Sequence, residues 1–294
     1  MRDPFRMITG ITILKNESLS RHTSFHIGGD TDYFIRVYSK KALMKVLEVI
    51  KRRRFKYFII GTGTNLLVSD RGFHGVVIRL DGIFKKIRRN DQCFLCGAGV
   101  LVDCLLKYAM ELGYGGAEFL AGIPGTVGGA IRGNAGAFGH SIADITESIR
   151  IITERGIEKN MVKEEIGFTY RTSRIQNNAI IVSVLLRLRK KKRREIMKTI
   201  NKNLLYRRQR HPSGYSAGSF FKNPPGCSAG KLIEECGLKG LRVGNAEVSR
   251  RHANYIINCG QARASDVMKL AAKVKKIIRE KKGIVLKEEV KILN

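Results

Sequence analysis

The sequence has 294 residues, 43% of them hydrophobic, so a sizeable core can be buried and a disordered ground state is excluded. Glycines are clustered rather than periodic and no heptad persists, which excludes collagen-like and coiled-coil chains. The formal net charge is +30, from 55 Lys and Arg against 25 Asp and Glu, and it is carried either by solvated helix faces or by contact with an anionic partner.

The amino-terminal MRDPFRMITG has a basic start but neither an apolar block nor a small-residue cleavage site, so no signal peptide is expected and the expected location is cytoplasmic. Ser39 is placed to cap a helix to about Arg54, whose Leu43, Val46, Leu47 and Ile50 fall on one face. Tyr57–Ile60 reads as a strand, Gly61-Thr62-Gly63-Thr64-Asn65 as a tight loop, and Leu66 to Ser69 and Gly75 to Leu80 as further strands. Cys93 and Cys96 form a lone C-x-x-C pair, and the six histidines show no metal spacing, so no metal is expected. All six cysteines are read as small buried hydrophobes of a reducing compartment. Val102 to Leu112 reads as a helix stopped by Gly113. After the glycine-dense stretch from Ala121 to Gly139 comes a hairpin, Ser148 to Thr153 with Gly156 to Val162, and then a strand from Asn178 to Arg189.

Within that strand Ala179 to Leu186 is the longest apolar run, and Ser183 interrupts it. It falls well short of the roughly 18–20 residues that cross a bilayer, so no membrane partner is expected. Lys190 to Arg210 is strongly basic and lacks glycine; it reads as helix and connector, with the main domain boundary there. Beyond it come a short helix capped by Ser228 and ending at Gly237, and a strand from Asn254 to Cys259. A long helix capped by Ser265 and closed by Gly283 follows, then terminal strands Ile284 to Leu286 and Val290 to Leu293. Strands and helices mix without the strict alternation of a doubly wound fold, and no repeat is visible.

Several segments suit chemistry. A Gly61–Asn65 turn exposes backbone N–H groups that can cradle a diphosphate, or it is a plain tight turn; it matches neither the dinucleotide fingerprint nor the P-loop. The Gly122–Gly139 run is either an irregular packed loop or a backbone that must approach a flat or phosphorylated ligand, since ordering so many glycines is entropically costly. Arg171, after Tyr170, is either a bidentate grip on a carboxylate or a surface cation. Ser219, in Gly218-Ser-Phe-Phe-Lys-Asn-Pro224, is a nucleophile, a proton donor or a turn residue, and it lacks the G-x-S-x-G frame of a nucleophile elbow. The run RLRKKKRR, from Arg187 to Arg194, has no interleaved stacking aromatic, so nucleic acid is not the expected partner.

The order of these segments is more specific than any one of them. Thr23-Ser-Phe-His-Ile-Gly-Gly29, the Gly61 loop, AGIPGTVGGAIRGNAGAFG, Tyr170-Arg171-x-Ser173, SAGSFFKNP and a late Glu-Val together resemble the UDP-N-acetylenolpyruvoylglucosamine reductase (UDP-N-acetylmuramate dehydrogenase) family, its second type, from about residue 15 to 293. The resemblance implies an α+β fold of the PCMH/VAO (vanillyl-alcohol-oxidase) flavin-binding type. It implies FAD-binding subdomains at 1–80 and 81–192 and a substrate-binding α+β domain at 193–294. It also implies non-covalent FAD, NADPH as reductant, and a UDP-sugar enolpyruvyl ether as substrate, reduced for peptidoglycan precursor synthesis. The family's catalytic Arg, Ser and Glu fall on Arg171, Ser219 and Glu289, the last chosen over Glu288 because it directly precedes Val290. Glu289 is then either protonated or a residue that orients Arg171 and a water.

The flavin diphosphate is expected on Gly61, Thr62, Gly63, Thr64, Asn65 and Leu66. The ring side is expected on Gly122, Ile123, Pro124, Gly125, Thr126, Gly128, Gly129, Asn134, Ala135 and Gly136. Tyr170, Lys222, Asn223 and Lys231 are the expected substrate contacts. The resemblance departs at Gly133, where relatives carry a larger side chain, and in lacking the substrate-covering Tyr loop of the first type. Two other readings stand beside it. One is a sugar or lactone oxidase of the same fold, for which His26 is the nearest flavin-attaching candidate and against which GSFFKNP argues. The other is a basic nucleic-acid-binding protein that has kept an enzyme fold.

Overall fold

The computed structural model describes residues 3–294. Helices are labelled in chain order: α1 (Lys40–Arg53), α2 (Val102–Glu111), α3 (Val127–Arg132), α4 (Lys163–Ile166), α5 (Arg193–Arg210), α6 (Ala229–Glu235) and α7 (Ala264–Lys282). The chain forms two compact units, and neither is continuous in sequence. The first takes the chain up to Lys15, Tyr33–Gly61 and Gly75–Tyr206; the second takes Asn16–Asp32, Thr62–His74 and Arg207–Asn294. Most of α5 therefore stays with the first unit, where the Asn203 side chain donates to Glu118 O at 2.9 Å, and the units divide after Tyr206, within the basic Lys190–Arg210 segment.

In the first unit, Ser39 caps α1 as its sequence predicts, its hydroxyl accepting from Ala42 N, and the predicted face of Leu43, Val46, Leu47 and Ile50 is buried. The Tyr57–Ile60 strand pairs parallel with Val76 to Arg79 in a four-stranded sheet that also carries Ile11–Ser18 and Asp30–Val37. A five-stranded antiparallel sheet runs in the order Glu158–Val162, Thr146–Ile152, Ile180–Arg187, Cys93–Gly97, Ile87–Asn90. One continuous core of side chains from α1, α2, α3 and both sheets fills this unit. The glycine-dense stretch contains a helix that composition hides: Thr126 Oγ1 accepts from Gly129 N at 3.2 Å and starts α3.

In the second unit, Lys291–Leu293 pairs parallel with Leu66–Val68, and Arg242–Val243, Ala246–Val248 and Ile256–Asn258 form a small antiparallel sheet. α6 and α7 pack with these strands around a second core that includes Phe25, Phe220, Phe221, Leu270 and Val274.

Three sequence expectations are corrected here. Ser265 lies inside α7 rather than capping it: Asp70 accepts from Ala264 N at 2.6 Å and from Ser265 N at 3.0 Å, and Asp266 accepts from Arg263 N. Ile284–Leu286 is irregular, and only Lys291–Leu293 is a strand. Only Cys96 and Cys236 are buried, whereas Cys104 and Cys259 are exposed, because helix and loop positions put them on the solvent side. Burial pushes the Cys96 thiol up to about 12, which leaves it inert. Cys93 lies three residues away on the same strand and so points to the opposite face.

Candidate flavin and substrate site

The first unit brings together two motifs far apart in sequence. Thr169 and Thr172 exchange backbone hydrogen bonds at 3.0 and 3.2 Å, closing a tight turn with Tyr170 and Arg171 at its tip. Three bonds pin that turn to the glycine-dense segment. Asn134 Nδ2 donates to Thr169 O at 2.9 Å, Ser173 Oγ donates to Arg132 O at 3.0 Å, and Arg171 Nη1 donates to Gly136 O at 2.8 Å. Arg171 has φ +55°, a left-handed backbone unusual for a residue with a Cβ, and its guanidinium lies 5.7 Å from the Tyr170 ring centroid. Tyr170 is exposed.

The segment's glycines divide into two kinds. Gly128 packs its backbone on Ala98, and Gly136 packs on His140 and Ser141; a Cβ there would come within 2.8 Å and 2.5 Å of protein atoms. These positions serve the fold. A Cβ on Gly133 would meet nothing closer than 3.6 Å, so close packing does not require glycine there, whereas one on Gly129 would press on Thr126 Oγ1 at 3.3 Å. Asn134 and Ala135, both expected at the flavin, are also committed inward. Asn134 Oδ1 accepts from Ala143 N, while Ala135 N donates to Ala130 O and its carbonyl accepts from Ile142 N, both at 2.8 Å. Gly122, Ile123, Pro124, Gly125 and Thr126 form the loop that enters α3, with Gly122 and Gly125 at positive φ. At Gly61 a Cβ would stand 2.8 Å from Thr126 Oγ1, so the end of the Tyr57–Ile60 strand meets the start of α3 only because position 61 lacks a side chain.

The turn from Gly61 to Asn65 is suited to an anionic cofactor. Among the described residues, the backbone N–H groups of Gly61, Thr62, Gly63 and Asn65 donate to no carbonyl. Thr62 Oγ1 is buried without a hydrogen-bond partner. Such a set of unfilled donors suits a diphosphate. In the second unit the Thr23–Gly29 motif buttresses the turn. Ser24 N donates to Gly63 O at 3.2 Å, and a Cβ on Gly63 would fall 2.1 Å from His22 O.

Also in the second unit, residues 219–222 form the centre of a short three-strand ribbon. On one side Glu289 N donates to Phe220 O and Lys222 N to Lys287 O, both at 2.8 Å. On the other, Ser219 bridges Tyr255, and Phe220 N donates to Asn254 O at 2.7 Å. The ribbon sets Ser219 and Glu289, both half-buried, on neighbouring strands. Asn65 joins it to the Gly61 turn: its Nδ2 donates to Glu289 O at 3.3 Å, and its carbonyl accepts from Lys291 N at 3.1 Å. Leu66 begins the strand paired with Lys291. Asn223 Oδ1 accepts from Ala229 N at 3.0 Å beside α6, which leaves its amide nitrogen for a ligand. Lys222 forms no ion pair among the described residues, whereas Lys231 Nζ lies 3.9 Å from Glu235. Asn254, which holds the ribbon from behind, was not singled out by sequence reasoning; an interior Asn carries no compositional signal.

Residues 31–160 match the model described as FAD binding domain, and residues 209–293 match UDP-N-acetylenolpyruvoylglucosamine reductase, C-terminal domain. UDP-N-acetylenolpyruvoylglucosamine reductase 2 of Symbiobacterium thermophilum is 41% identical over 99% of this chain and 94% of its own length. The chain belongs to the UDP-N-acetylenolpyruvoylglucosamine reductase family. The reductase of Desulforamulus reducens is 40% identical over 95% of this chain and 92% of its own. The crystal structure of the Thermus caldophilus reductase superposes with a TM-score of 0.84 at 36% identity, covering 97% of this chain and 99% of that one. Phl p 4.0202, a glucose dehydrogenase, shares the fold alone, with a TM-score of 0.50 at 11% identity over 60% of this chain and 41% of its own. The α+β flavin-binding fold and the FAD-dependent reductase class implied by the sequence resemblance are thus borne out, and membership in the reductase family decides against the sugar-oxidase reading. No helix of the described residues is long and apolar enough to cross a membrane.

Proposed function

We propose that this chain reduces the enolpyruvyl ether of UDP-N-acetylglucosamine to UDP-N-acetylmuramate through Arg171, Ser219 and Glu289, in the cytoplasm, with NADPH as reductant. The observation that carries the reading is the 41% identity to a reductase over 99% of the chain. The flavin, when bound and reduced, supplies the hydride that adds to C3 of the substrate. The Gly61–Leu66 turn and the Gly122–Thr126 loop with Gly128 and Gly129 would hold it.

Hydride addition at C3 builds negative charge toward the substrate carboxylate. Arg171 supplies a permanently charged planar cation for that charge, and its turn is fixed in advance by the bonds to Gly136, Arg132 and Thr169. The carbanionic C2 is a strong base, so the weakly acidic Ser219 hydroxyl is a competent donor of the proton that completes the reduction. A bare carboxylate repels the developing anion, so Glu289 acts in its protonated form or through a water that it orients. Tyr170, Lys222 and the free amide nitrogen of Asn223 bind the substrate, and Lys231 binds its diphosphate.

The test is Ser219→Ala followed through its two half-reactions. NADPH should still reduce the bound flavin at close to the wild-type rate, while re-oxidation by the enolpyruvyl substrate slows by about 10²-fold or more. Equal slowing of both steps, seen as flavin absorbance in stopped flow, would remove Ser219 from the proton-donating role.

A further inference from the structure

The strand that carries Ser219 has no full ladder on its inner side, and one side chain stands in for it. Asn254 is buried, at 4% exposure. Its Oδ1 accepts from Phe221 N at 2.9 Å, and its Nδ2 donates to Phe221 O at 2.8 Å. Its own carbonyl accepts from Phe220 N at 2.7 Å. A primary amide thus occupies the place of a neighbouring peptide and satisfies both polar groups of Phe221 at once.

The clamp rests on a braced turn. Ser249 Oγ accepts from Arg251 N and His252 N, and Asn254 N donates to His252 Nδ1 at 3.3 Å. The Arg251 guanidinium donates to Arg208 O and Gln209 O at the end of α5. The Phe220 and Phe221 rings, both buried, meet edge-on at 5.1 Å between centroids and anchor the segment in the second core. A slide or rotation of the strand would leave buried donors and acceptors unpaired, and a displacement of about 1 Å at a reacting group can cost about 10²-fold in rate.

We propose that Asn254 is the positioning residue for Ser219: it fixes the register in which the hydroxyl is presented and makes no contact with the reacting atoms. This rests on Ser219 being the proton donor. The chemistry of the clamp supplies its own test. A carboxylate can accept from Phe221 N but repels Phe221 O, whereas a carboxylic acid can do both jobs of the amide. Asn254→Asp therefore breaks the clamp at high pH and restores it as the new carboxyl takes up a proton. The other titratable and charged groups around the clamp are Arg251, His252 and Tyr255 on its own turn, His211 packed on the last two, Glu234 of α6 and Lys239 near His252, Lys222 on the ribbon, and Lys287, Glu288 and Glu289 on the flanking strand. All are shared with the wild type, so the variant-to-wild-type ratio at each pH isolates the substitution.

With the FAD-loaded enzyme, Asn254→Asp should leave flavin reduction by NADPH within about twofold of wild type. Re-oxidation by the enolpyruvyl substrate should be at least about 30-fold slower near pH ~8 and return to within about threefold near pH ~6. Independently of turnover, the Phe221 amide should exchange with solvent at least about tenfold faster than wild type near pH ~8, with Ile256–Asn258 unchanged. Equal slowing of both half-reactions, a ratio that does not vary with pH, or unchanged Phe221 protection would each overturn the proposal. If Asn254→Asp does not fold, Asn254→Ser keeps a small polar side chain that stops one bond short of the Phe221 peptide; slowing of the oxidative step alone would support the proposal, and equal slowing would overturn it. Ser219→Ala in the same assay separates the two levels. If it leaves re-oxidation intact, the donor reading fails, whereas the exchange data still decide whether Asn254 clamps the strand.

Discussion

His211 shows how far a residue's environment departs from its sequence. Its Nδ1 shares a hydrogen bond with the Tyr255 hydroxyl at 3.0 Å, and its ring packs against His252. Burial, then the charges of Arg207, His252 and Arg251, push its pKa from 6.5 down to about 4, and burial also lowers His252. The folded value lies below the unfolded one, so the unfolded chain takes up protons first as the pH falls. The neutral His211 contribution is therefore intact above pH 6.5 and is progressively lost between about 6.5 and 4. The wild-type melting temperature should drop more steeply from pH ~7.5 to ~5 than that of His211→Gln, which keeps a partner for Tyr255 but does not titrate. Parallel melting curves would remove His211 from the acid limb. Little in His211-Pro212 signals this, because the burial and the His252 and Arg251 charges arrive from other parts of the second unit, and only Arg207 is a near neighbour in sequence. Asn254 was invisible for the same reason. Arg171, Ser219 and Glu289 are proposed from the order of family motifs alone, since each by itself reads as a surface residue.

At the scale of elements, local signals were reliable where they were self-contained. Ser39 and Ser228 cap their helices as predicted, through Ala42 N and Lys231 N. The signal failed where the partner was remote. α7 takes its cap from Asp70, which Ala264 and Ser265 meet only in the fold. Within the glycine-dense stretch α3 was missed, because Val-Gly-Gly-Ala-Ile-Arg has poor helix propensity and is held by Thr126 and by close packing on Ala98. Asp70 is a useful probe of such non-local capping. Burial pushes its carboxyl up, but the N–H groups of Ser265 and Ala264 with nearby Arg263 outweigh this, and the pKa ends below its ordinary 3.8. Its contribution is present above the ordinary carboxylate range and fades as the pH falls through the depressed value. Asp70→Ala should lower stability by about 1 kcal/mol, read as a lower urea midpoint with unchanged slope. An unchanged midpoint would mean that water replaces the cap at no cost.

The whole molecule carries +30 charges, and many of its acids are already spoken for. Glu118 pairs with Lys191, Glu147 with Arg187, Glu158 with Lys40, Glu235 with Lys282 and Glu288 with Lys275. The unpaired basic excess presents a positive field to any anion that approaches. NADPH is such an anion, so kcat/KM for NADPH should fall several-fold as added salt shortens the screening length from about 10 Å at ~0.1 M to about 3 Å at ~1 M, with kcat nearly constant. A flat salt profile would assign the charge to solvation alone.

The interleaved division of the chain has a further consequence during synthesis. Leu66–Val68, which leads out of the Gly61 turn, gains its parallel partner only when Lys291–Leu293 has been made. Asn65 likewise waits for Glu289 and Lys291. Until translation reaches them, that short apolar strand has an open edge, free to pair wrongly with another nascent chain. The turn proposed to hold the flavin diphosphate is thus translated early but stabilised late.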